Sequence, residues 1–464
     1  MRSWHHRRNA LSSRRMKTLA IIGGGITGLA SAYVAAKSGT KVTVLEASPE
    51  MGGLLRTFPI GGNRLECYYH HFFTHDAELR WLVEDLGIGD KLEFLDATMG
   101  VFRDGDIHPF NSVRDLLAFP PLALPDKVRF AATSAYLGKL ANWRHHESES
   151  ALSWFHKYAG KAATEAIWSP LLDIKFGPYA AQVPTAWMVG RLRQRMNSRK
   201  KGDEKLGYIR GSLKVLLDAL LTKLKEAGVE LVVNAPVQKL LGNREHITGV
   251  ETAAGTHLAD ATLATIPTPA LSTLVRPHSD GYADELAAIK YFGAVCTILE
   301  TSVPLSATYW LNIADPGFPF GGVVEHTNLV PPTEYGSSHI AYLSRYYASD
   351  DPLATASQAE VLEQMLAPMQ RIYPKFSRDS IRNTYIFRTN TAAVVCDLNF
   401  SQRVPHCRSP LGSFYLASMP HVYPDERSCN NSIRVAAEAC NVMGLDASMV
   451  PKNASLAGQI RMEK

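Results

Sequence analysis

The sequence lacks any long uninterrupted hydrophobic run. No apolar stretch approaches the roughly 18 residues that a helix needs to cross a bilayer, so we predict no transmembrane helix. Six cysteines are scattered along the chain without a C-x-x-C pair. This scarcity argues against a disulfide framework and favours reduced thiols in a cytoplasmic protein. Internal repeats and low-complexity blocks are also missing.

Charge of one sign is not in excess either. The net charge is +5 over 464 residues, and no basic segment is interleaved with aromatic residues. We therefore expect no nucleic-acid partner and a small-molecule substrate instead. Peripheral contact with a membrane and the oligomeric state stay open.

The first fifteen residues are rich in arginine, serine and histidine and contain no acid. They lack the apolar core of a secretory signal. We expect residues 1–15 to be a disordered basic extension. A functional start at Met16 is favoured over an organelle transit peptide.

The clearest motif lies near the amino end. An apolar run over Leu19–Ile22 predicts a buried strand. Gly23, Gly25 and Gly28 follow with G-x-G-x-x-G spacing, and an alanine-rich helix is predicted over Thr27–Ser38. These glycines permit a tight turn, close approach to a pyrophosphate, and close packing of helix on strand.

A second strand is predicted over Lys41–Leu45, and it ends at Glu46. This acid follows the glycines by about 20 residues, where a carboxylate can accept both ribose hydroxyls of an adenosine. Strand, glycine loop, helix, strand and acid in this order predict a dinucleotide site. They do not by themselves choose between NAD and FAD.

The residues after Glu46 favour FAD. The segment Gly52-Gly53-Leu54-Leu55-Arg56-Thr57 resembles the extended fingerprint of the FAD-dependent amine oxidase, protoporphyrinogen oxidase and phytoene desaturase superfamily. The resemblance implies that Gly52, Gly53 and Arg56 wrap the pyrophosphate and ribityl region of the flavin. Glycines allow close backbone approach, and arginine is a permanent cation.

Three histidines and four aromatic residues crowd the segment Tyr68–His75. The superfamily resemblance places it against the flavin ring. The segment is also similar to the histidine loop of UDP-galactopyranose mutase, although Tyr69-His70 stands where that family has Gly-Pro. We predict His71 as a catalytic residue that acts as the base or contacts the substrate, and His70 as a substrate contact. A packed aromatic turn is the alternative, and we assign no metal site because carboxylate and cysteine ligands are not nearby.

A basic helix is predicted over Trp187–Lys201. Arg191 and Arg195 share one of its faces by i,i+4 spacing, while Arg193 points elsewhere. We predict Arg191 and Arg195 as contacts of an anionic substrate. A solvated helix face is the alternative.

Later landmarks extend the resemblance over most of the chain. Val237 matches the residue that binds the adenine through its backbone, and Met419 and Asn431 match the last strand and helix that contact the flavin. The familiar acid-glycine pair is missing at Ala417-Ser418-Met419. The resemblance also implies that the lysine found on the substrate sheet of many amine oxidases is missing, since Val295 or Cys296 takes its position. Lys290 is an off-register alternative.

The strand ends in the substrate part carry the remaining candidates. We predict Glu325 and His326 as a catalytic pair, although strand neighbours point to opposite faces. Arg345 and Tyr346, at the end of the next strand, are predicted substrate contacts. A structural corner of hydrogen bonds is the alternative for this group.

Together these features predict an α/β fold with a Rossmann-like FAD-binding domain and an interleaved substrate domain of mixed β-sheet and helices. The predicted FAD-binding domain is discontinuous and comprises residues 16–105, 205–289 and 400–464. The substrate domain comprises residues 106–204 and 290–399. The expected function is an FAD-dependent oxidoreductase that transfers hydride from a small or medium-sized organic substrate. The alternative is a flavin-dependent mutase or isomerase acting on a nucleotide sugar or another anionic substrate. A flavin-binding protein without turnover is a third possibility.

Overall fold

The structure is a computed structural model that describes residues 16–200 and 203–452. The predicted basic extension over residues 1–15 lies outside the described residues, as does the end of the predicted FAD-binding domain from residue 453.

A parallel sheet of five strands carries the glycine motif. In spatial order its strands are Glu230–Val232, Lys41–Leu45, Thr18–Ile22, Ala261–Ala264 and Phe414–Leu416. The central strand is buried from Leu19 onward, as expected of an apolar run in a parallel sheet. One apolar core unites this sheet with the helices Ile26–Lys37, Leu213–Glu226 and Cys429–Val442.

A mixed sheet of seven strands forms the second layer. In spatial order its strands are Ile381–Val394, Tyr291–Thr301, His339–Tyr347, Gly322–Glu325, Trp310–Ile313, Met99–Arg103 and Asp106–Pro109. All neighbours are antiparallel except Trp310–Ile313 and Met99–Arg103, which run parallel.

Three smaller sheets are also present among the described residues. Asp203–Ile209 pairs with Phe72–Phe73, Leu92–Asp96 and Arg199–Lys200. A three-stranded sheet comprises Val237–Gly242, Ile247–Thr252 and Gly255–Leu258, and a hairpin comprises Thr57–Ile60 and Asn63–Glu66.

The remaining α-helices lie between these strands in the chain. Their bounds are Ala77–Asp85, Val113–Ala118, Leu124–Ala135, Ala151–Tyr158, Lys161–Ala163, Ser169–Phe176, Thr185–Ser198, Thr268–Val275, Asp280–Ala287, Gln358–Leu366 and Met369–Ile372. Within residues 16–200 and 203–452, no helix is both long and apolar enough to cross a membrane.

The predicted α/β class is confirmed, with parallel and mixed sheets in one chain. The basic helix begins earlier than predicted and ends at Ser198, because Arg199–Lys200 pairs as a short strand. The division into domains stays a proposal. Both strands of the hairpin around residue 105 belong to the seven-stranded sheet, which favours moving the first boundary to just before Met99.

Candidate active site

A cavity of about 550 Å³ is lined by the glycine loop of the parallel sheet and by strands of the seven-stranded sheet. The predicted site residues that line it are Gly23, Gly25, Glu46, Gly52, Gly53, Arg56, His70, His71, Arg191, Arg195, Tyr346 and Met419. Those outside its lining are Gly28, Val237, Glu325, His326, Arg345 and Asn431.

The glycine loop has the shape of a pyrophosphate cradle. Helix Ile26–Lys37 begins at Gly25 without a side-chain cap and without an acid in its first turn. A Cβ atom added to Gly25 would meet nothing within 4 Å, so this backbone borders open space. At Gly28 the same atom would lie 2.0 Å from the carbonyl oxygen of Gly23. Gly25 therefore leaves room for a ligand at a helix N-terminus, whereas Gly28 allows the helix to pack on the strand.

Glu46 is held by the loops on either side of it. Its Oε2 accepts a hydrogen bond from the Gly24 N–H at 2.7 Å. Its Oε1 accepts from the N–H and the hydroxyl of Ser48, at 2.9 and 2.6 Å. The carboxylate thus stands at the end of its strand, where an adenosine ribose would meet it.

The loop of Gly52 and Gly53 contacts the Gly23–Gly25 loop directly at the edge of the cavity. The Gly52 N–H donates to the Gly24 carbonyl at 2.8 Å. Gly53 has φ +55°, and a Cβ atom there would lie 3.2 Å from the Gly25 Cα. Arg56 is anchored by its Nε, which donates to the Gly53 carbonyl at 3.1 Å. Two glycine loops, one cation and one ribose-accepting carboxylate fit the ADP half of a dinucleotide.

Another part of the lining is an aromatic wall, formed by Tyr69, His71 and Trp310. The Trp310 ring lies 5.0 Å from that of Tyr69 and 5.5 Å from that of His71, edge to face. His71 Nδ1 is buried and has no hydrogen-bond partner among the described residues. Such an atom is costly unless a ligand satisfies it.

His70 and His71 are both neutral at physiological pH. Burial lowers the pKa of His70 to about 4, and its Nδ1 donates to the Tyr68 carbonyl at 2.6 Å. Burial, followed by the charge of Arg195, lowers the pKa of His71 to about 3. An imidazole of that pKa is a weak proton acceptor at pH 7. His71 as a base stays a prediction, and this pKa favours the role of a neutral hydrogen-bonding group.

Glu325 and His326 point away from the cavity, although their neighbour Val324 lines it. Glu325 accepts hydrogen bonds from the backbone N–H groups of Leu305 and Ser306, at 3.0 and 2.9 Å. His326 is buried, and its Nε2 lies 2.7 Å from the Tyr335 hydroxyl. The two side chains form separate structural contacts, so the predicted catalytic pair is withdrawn.

The basic helix places Arg191 and Arg195 on the cavity, as their spacing predicts. Arg193 faces elsewhere and donates to the Ala141 carbonyl at 2.9 Å. Arg345 also turns away and forms an ion pair with Asp351 at 2.8 Å. Its strand neighbour Tyr346 lines the cavity, because successive side chains of a strand alternate.

Val237 and Asn431, which were predicted to contact the cofactor, lie outside the cavity lining and make structural contacts instead. Val237 begins a strand that pairs with Thr252. The Asn431 side chain donates to the Glu426 carbonyl at 2.7 Å and so fixes the segment before the last helix. Met419 does line the cavity.

Sequence reasoning missed three charged residues of the lining: Lys175, Glu426 and Arg427. Lys175 lies in the segment Leu171–Phe176, which also contains Asp173, so no sequence pattern marked it as a site residue. Its partner Glu426 is 251 positions away in the chain. No group of three or more potential metal ligands is found in the part of the chain that the structure describes.

Known proteins resemble this chain in sequence and in fold. Coproporphyrinogen III oxidase from Mycobacterium bovis is 25% identical over 317 residues, which cover 62% of this chain and 67% of the relative. A Methanosarcina mazei oxidoreductase structure has a TM-score of 0.73 at 17% identity and covers 92% of this chain and 100% of its own. Reduced UDP-galactopyranose mutase has a TM-score of 0.70 at 14% identity and covers 97% and 99%. At these identities the two structures show the fold alone.

The family model described as flavin containing amine oxidoreductase matches residues 26–403. This range includes the second glycine pair, the aromatic wall and the basic helix, and it ends before the final strand and helix of the parallel-sheet layer. The chain belongs to the flavin containing amine oxidoreductases, and its cofactor is FAD.

Proposed function

We propose that the protein is an FAD-dependent oxidoreductase that removes hydride from a small or medium-sized organic substrate. The observation that supports this most is the single cavity shared by the dinucleotide loops and the buried aromatic wall. Bound FAD would supply the hydride acceptor, and the protein would supply orientation and exclusion of water.

Each part of the cavity has a separate role in this proposal. The Gly23–Gly25 loop and Arg56 bind the pyrophosphate, and Glu46 binds the adenosine ribose. The wall of Tyr69, His71 and Trp310 shields the reacting atoms from water. His71 orients the substrate through its free Nδ1 without taking its proton.

The experiment is anaerobic titration of the purified flavoprotein with candidate amines and with carboxylate-bearing donors. Bleaching of the oxidised-flavin absorbance by a donor supports the proposal. The Trp310→Leu variant should retain FAD and lose most of the bleaching rate. Retention of the oxidised spectrum with every donor, in protein that turns over another substrate without redox change, would contradict it.

A second candidate is a flavin-dependent mutase or isomerase of an anionic substrate such as a nucleotide sugar. The cluster of Lys175, Arg191, Arg195 and Arg427 in the cavity lining favours it. Turnover of a nucleotide sugar by pre-reduced protein only, without net oxidation, would support this candidate over the first.

We also propose a cytoplasmic location, for which the six free thiols are the support. In an oxidising compartment some of these thiols would be oxidised, and fewer than six free thiols would be counted. Titration of free thiols in protein isolated from the native cell tests this point.

A further inference from the structure

The cavity lining carries more positive than negative charge. Among the described residues its cations are Arg56, Lys175, Arg191, Arg195 and Arg427, and its carboxylates are Glu46 and Glu426. Arg56 and Glu46 belong to the dinucleotide loops. The other part of the lining is left with several cations and the single carboxylate of Glu426.

Glu426 is shared by two cations from two different helices. Its Oε1 accepts from the Lys175 ammonium, and its Oε2 accepts from the Arg191 guanidinium. The side chains of Lys175 and Arg191 are only 16% and 17% exposed. Despite burial, these cations hold the Glu426 pKa well below its usual range, so its carboxylate is ionised.

A third cation, Arg427, contacts Tyr346. Arg427 donates a hydrogen bond to the Tyr346 hydroxyl, and its guanidinium lies 5.5 Å from the centre of that ring. The Lys175 Nζ lies 5.9 Å from the same ring. Lys175 and Arg427 therefore approach one tyrosine that lines the cavity.

The single negative charge of Glu426 does not neutralise the three positive charges of Lys175, Arg191 and Arg427. The imbalance matters because charges interact more strongly in a partly buried site than in water. We infer that Lys175, Arg191 and Arg427 form a subsite for an anionic group of the substrate, which Glu426 fills until the substrate displaces it. The inference rests on the proposed function, because it assigns the substrate class of the same cavity.

The bridging position of Glu426 shows the chemistry that this subsite accepts. An ammonium and a guanidinium can bind two oxygens of a carboxylate or two oxygens of a phosphate equally well. Both carry oxygens that can replace Oε1 and Oε2. Carboxylates and phosphates share the negative charge and the paired oxygens. The experiment below distinguishes a carboxylate-bearing substrate from a phosphorylated one.

The test is calorimetric titration of the FAD-loaded protein with acetate and, separately, with inorganic phosphate. Glu426→Gln should bind at least one of these anions about 10-fold more tightly than the parent protein, because its internal competitor has lost its charge. Lys175→Met should bind about 10-fold more weakly. A preference for acetate assigns a carboxylate substrate, and a preference for phosphate assigns a phosphorylated one.

The matched control is Lys290→Met, which removes an exposed lysine outside the cavity lining. It should leave anion binding unchanged. Arg191→Lys is a second subsite variant that keeps the charge, and it should weaken binding less than Lys175→Met does. Flavin content and thermal unfolding report whether each variant is folded.

Absence of saturable anion binding in both the parent protein and Glu426→Gln would overturn the subsite. Equal binding by the parent protein and Lys175→Met would overturn it too. Either result can be obtained with FAD bound and reducible, which leaves the proposed function intact. Failure of the proposed function would show instead as a flavin that no donor reduces.

Discussion

Gly25 and Gly28 lie three positions apart but have different roles: Gly25 leaves room for the ligand, and Gly28 allows the helix to pack on the strand. Gly25 has φ −73°, which any residue adopts, and its missing Cβ would point into open space. Gly25→Val should therefore fold normally and lose FAD, because the new side chain occupies the place of the pyrophosphate. Flavin absorbance and the unfolding temperature of the apoprotein measure the two effects.

Gly28→Ala is the contrasting variant. Its Cβ would lie 2.0 Å from a backbone carbonyl oxygen, so the strand and the helix must separate. We expect a loss of about 1–3 kcal/mol in the free energy of unfolding, as in other overpacked cores. Normal FAD binding by Gly25→Val, or unchanged stability of Gly28→Ala, would contradict this division.

The Glu46 carboxylate gives a second prediction at this scale. Glu46→Gln removes the charge that would accept the ribose hydroxyls, and we expect about 10-fold weaker FAD binding or more, from the 1.5–3 kcal/mol of charged hydrogen bonds. Equilibrium binding of FAD to apoprotein measures it. Glu230→Gln is the control, because Glu230 is an exposed acid on the same sheet. Its carboxylate accepts a hydrogen bond from the Thr43 hydroxyl. An equal loss in both variants would refute a specific role for Glu46.

Local motifs predicted the dinucleotide residues because their chemistry depends on neighbours in the chain. The pairing of Lys175 with Glu426 depends on two elements that meet only in the folded protein. Nothing in the sequence joins these positions, so the charge cluster could not be predicted in full. Arg191 and Arg195 could, because helical spacing fixes their common face.

At the scale of elements, strand alternation decides which side chains reach the cavity. Strand Gly322–Glu325 presents Val324 to the cavity and turns Glu325 towards Ser306. The presence of charged residues at strand ends is therefore a poor guide to catalytic chemistry in this protein. A polar strand end can equally well close a loop through hydrogen bonds.

Burial raises the pKa of Glu325 from 4.5 to about 7, against the effect of its hydrogen bonds. The folded state thus binds this proton more tightly than the unfolded state. The resulting stabilisation is complete below pH 4.5 and is lost as the pH rises through 7. Relative to Glu325→Gln, the parent protein should lose about 3 kcal/mol of stability across this range, at 1.36 kcal/mol per pKa unit.

Chemical denaturation of both proteins between pH 5 and about pH 8 tests this, since the other titrating groups are common to both. A constant difference in the free energy of unfolding would contradict the account. Flavin reduction by a donor should be nearly the same in both proteins, since Glu325 is outside the cavity lining.

Most element bounds near the amino end could be predicted. The first helix was expected over residues 27–38 and spans Ile26–Lys37. The end of the basic helix could not, because pairing of Arg199–Lys200 with a later strand overrides a helical pattern.

At the scale of the molecule, the parallel sheet gathers strands from distant parts of the chain. Its outer strand Phe414–Leu416 and the helix Cys429–Val442 come from the carboxyl end. The α/β class could be predicted from the strand, glycine loop, helix and strand at the amino end, together with the resemblance to the flavin superfamily. The strand order and the joining of 99–109 to the larger sheet require long-range pairing, which local patterns do not encode.

A ligand that binds only the folded state stabilises it by mass action, by about 2.7 kcal/mol at 100 times its dissociation constant. Because the glycine loops and Glu46 fit the ADP half, ADP alone should raise the unfolding temperature of the apoprotein. Riboflavin, which lacks that half, should raise it less at the same concentration. The reverse order would place the main binding contacts on the flavin ring.

The most direct test of the central claim is the FAD content of the purified parent protein and of Gly25→Val, measured by absorbance after reconstitution of both apoproteins with excess FAD. We expect stoichiometric FAD in the parent protein and almost none in a folded Gly25→Val. A parent protein that stays colourless after reconstitution, or a variant that binds FAD equally well, would contradict it.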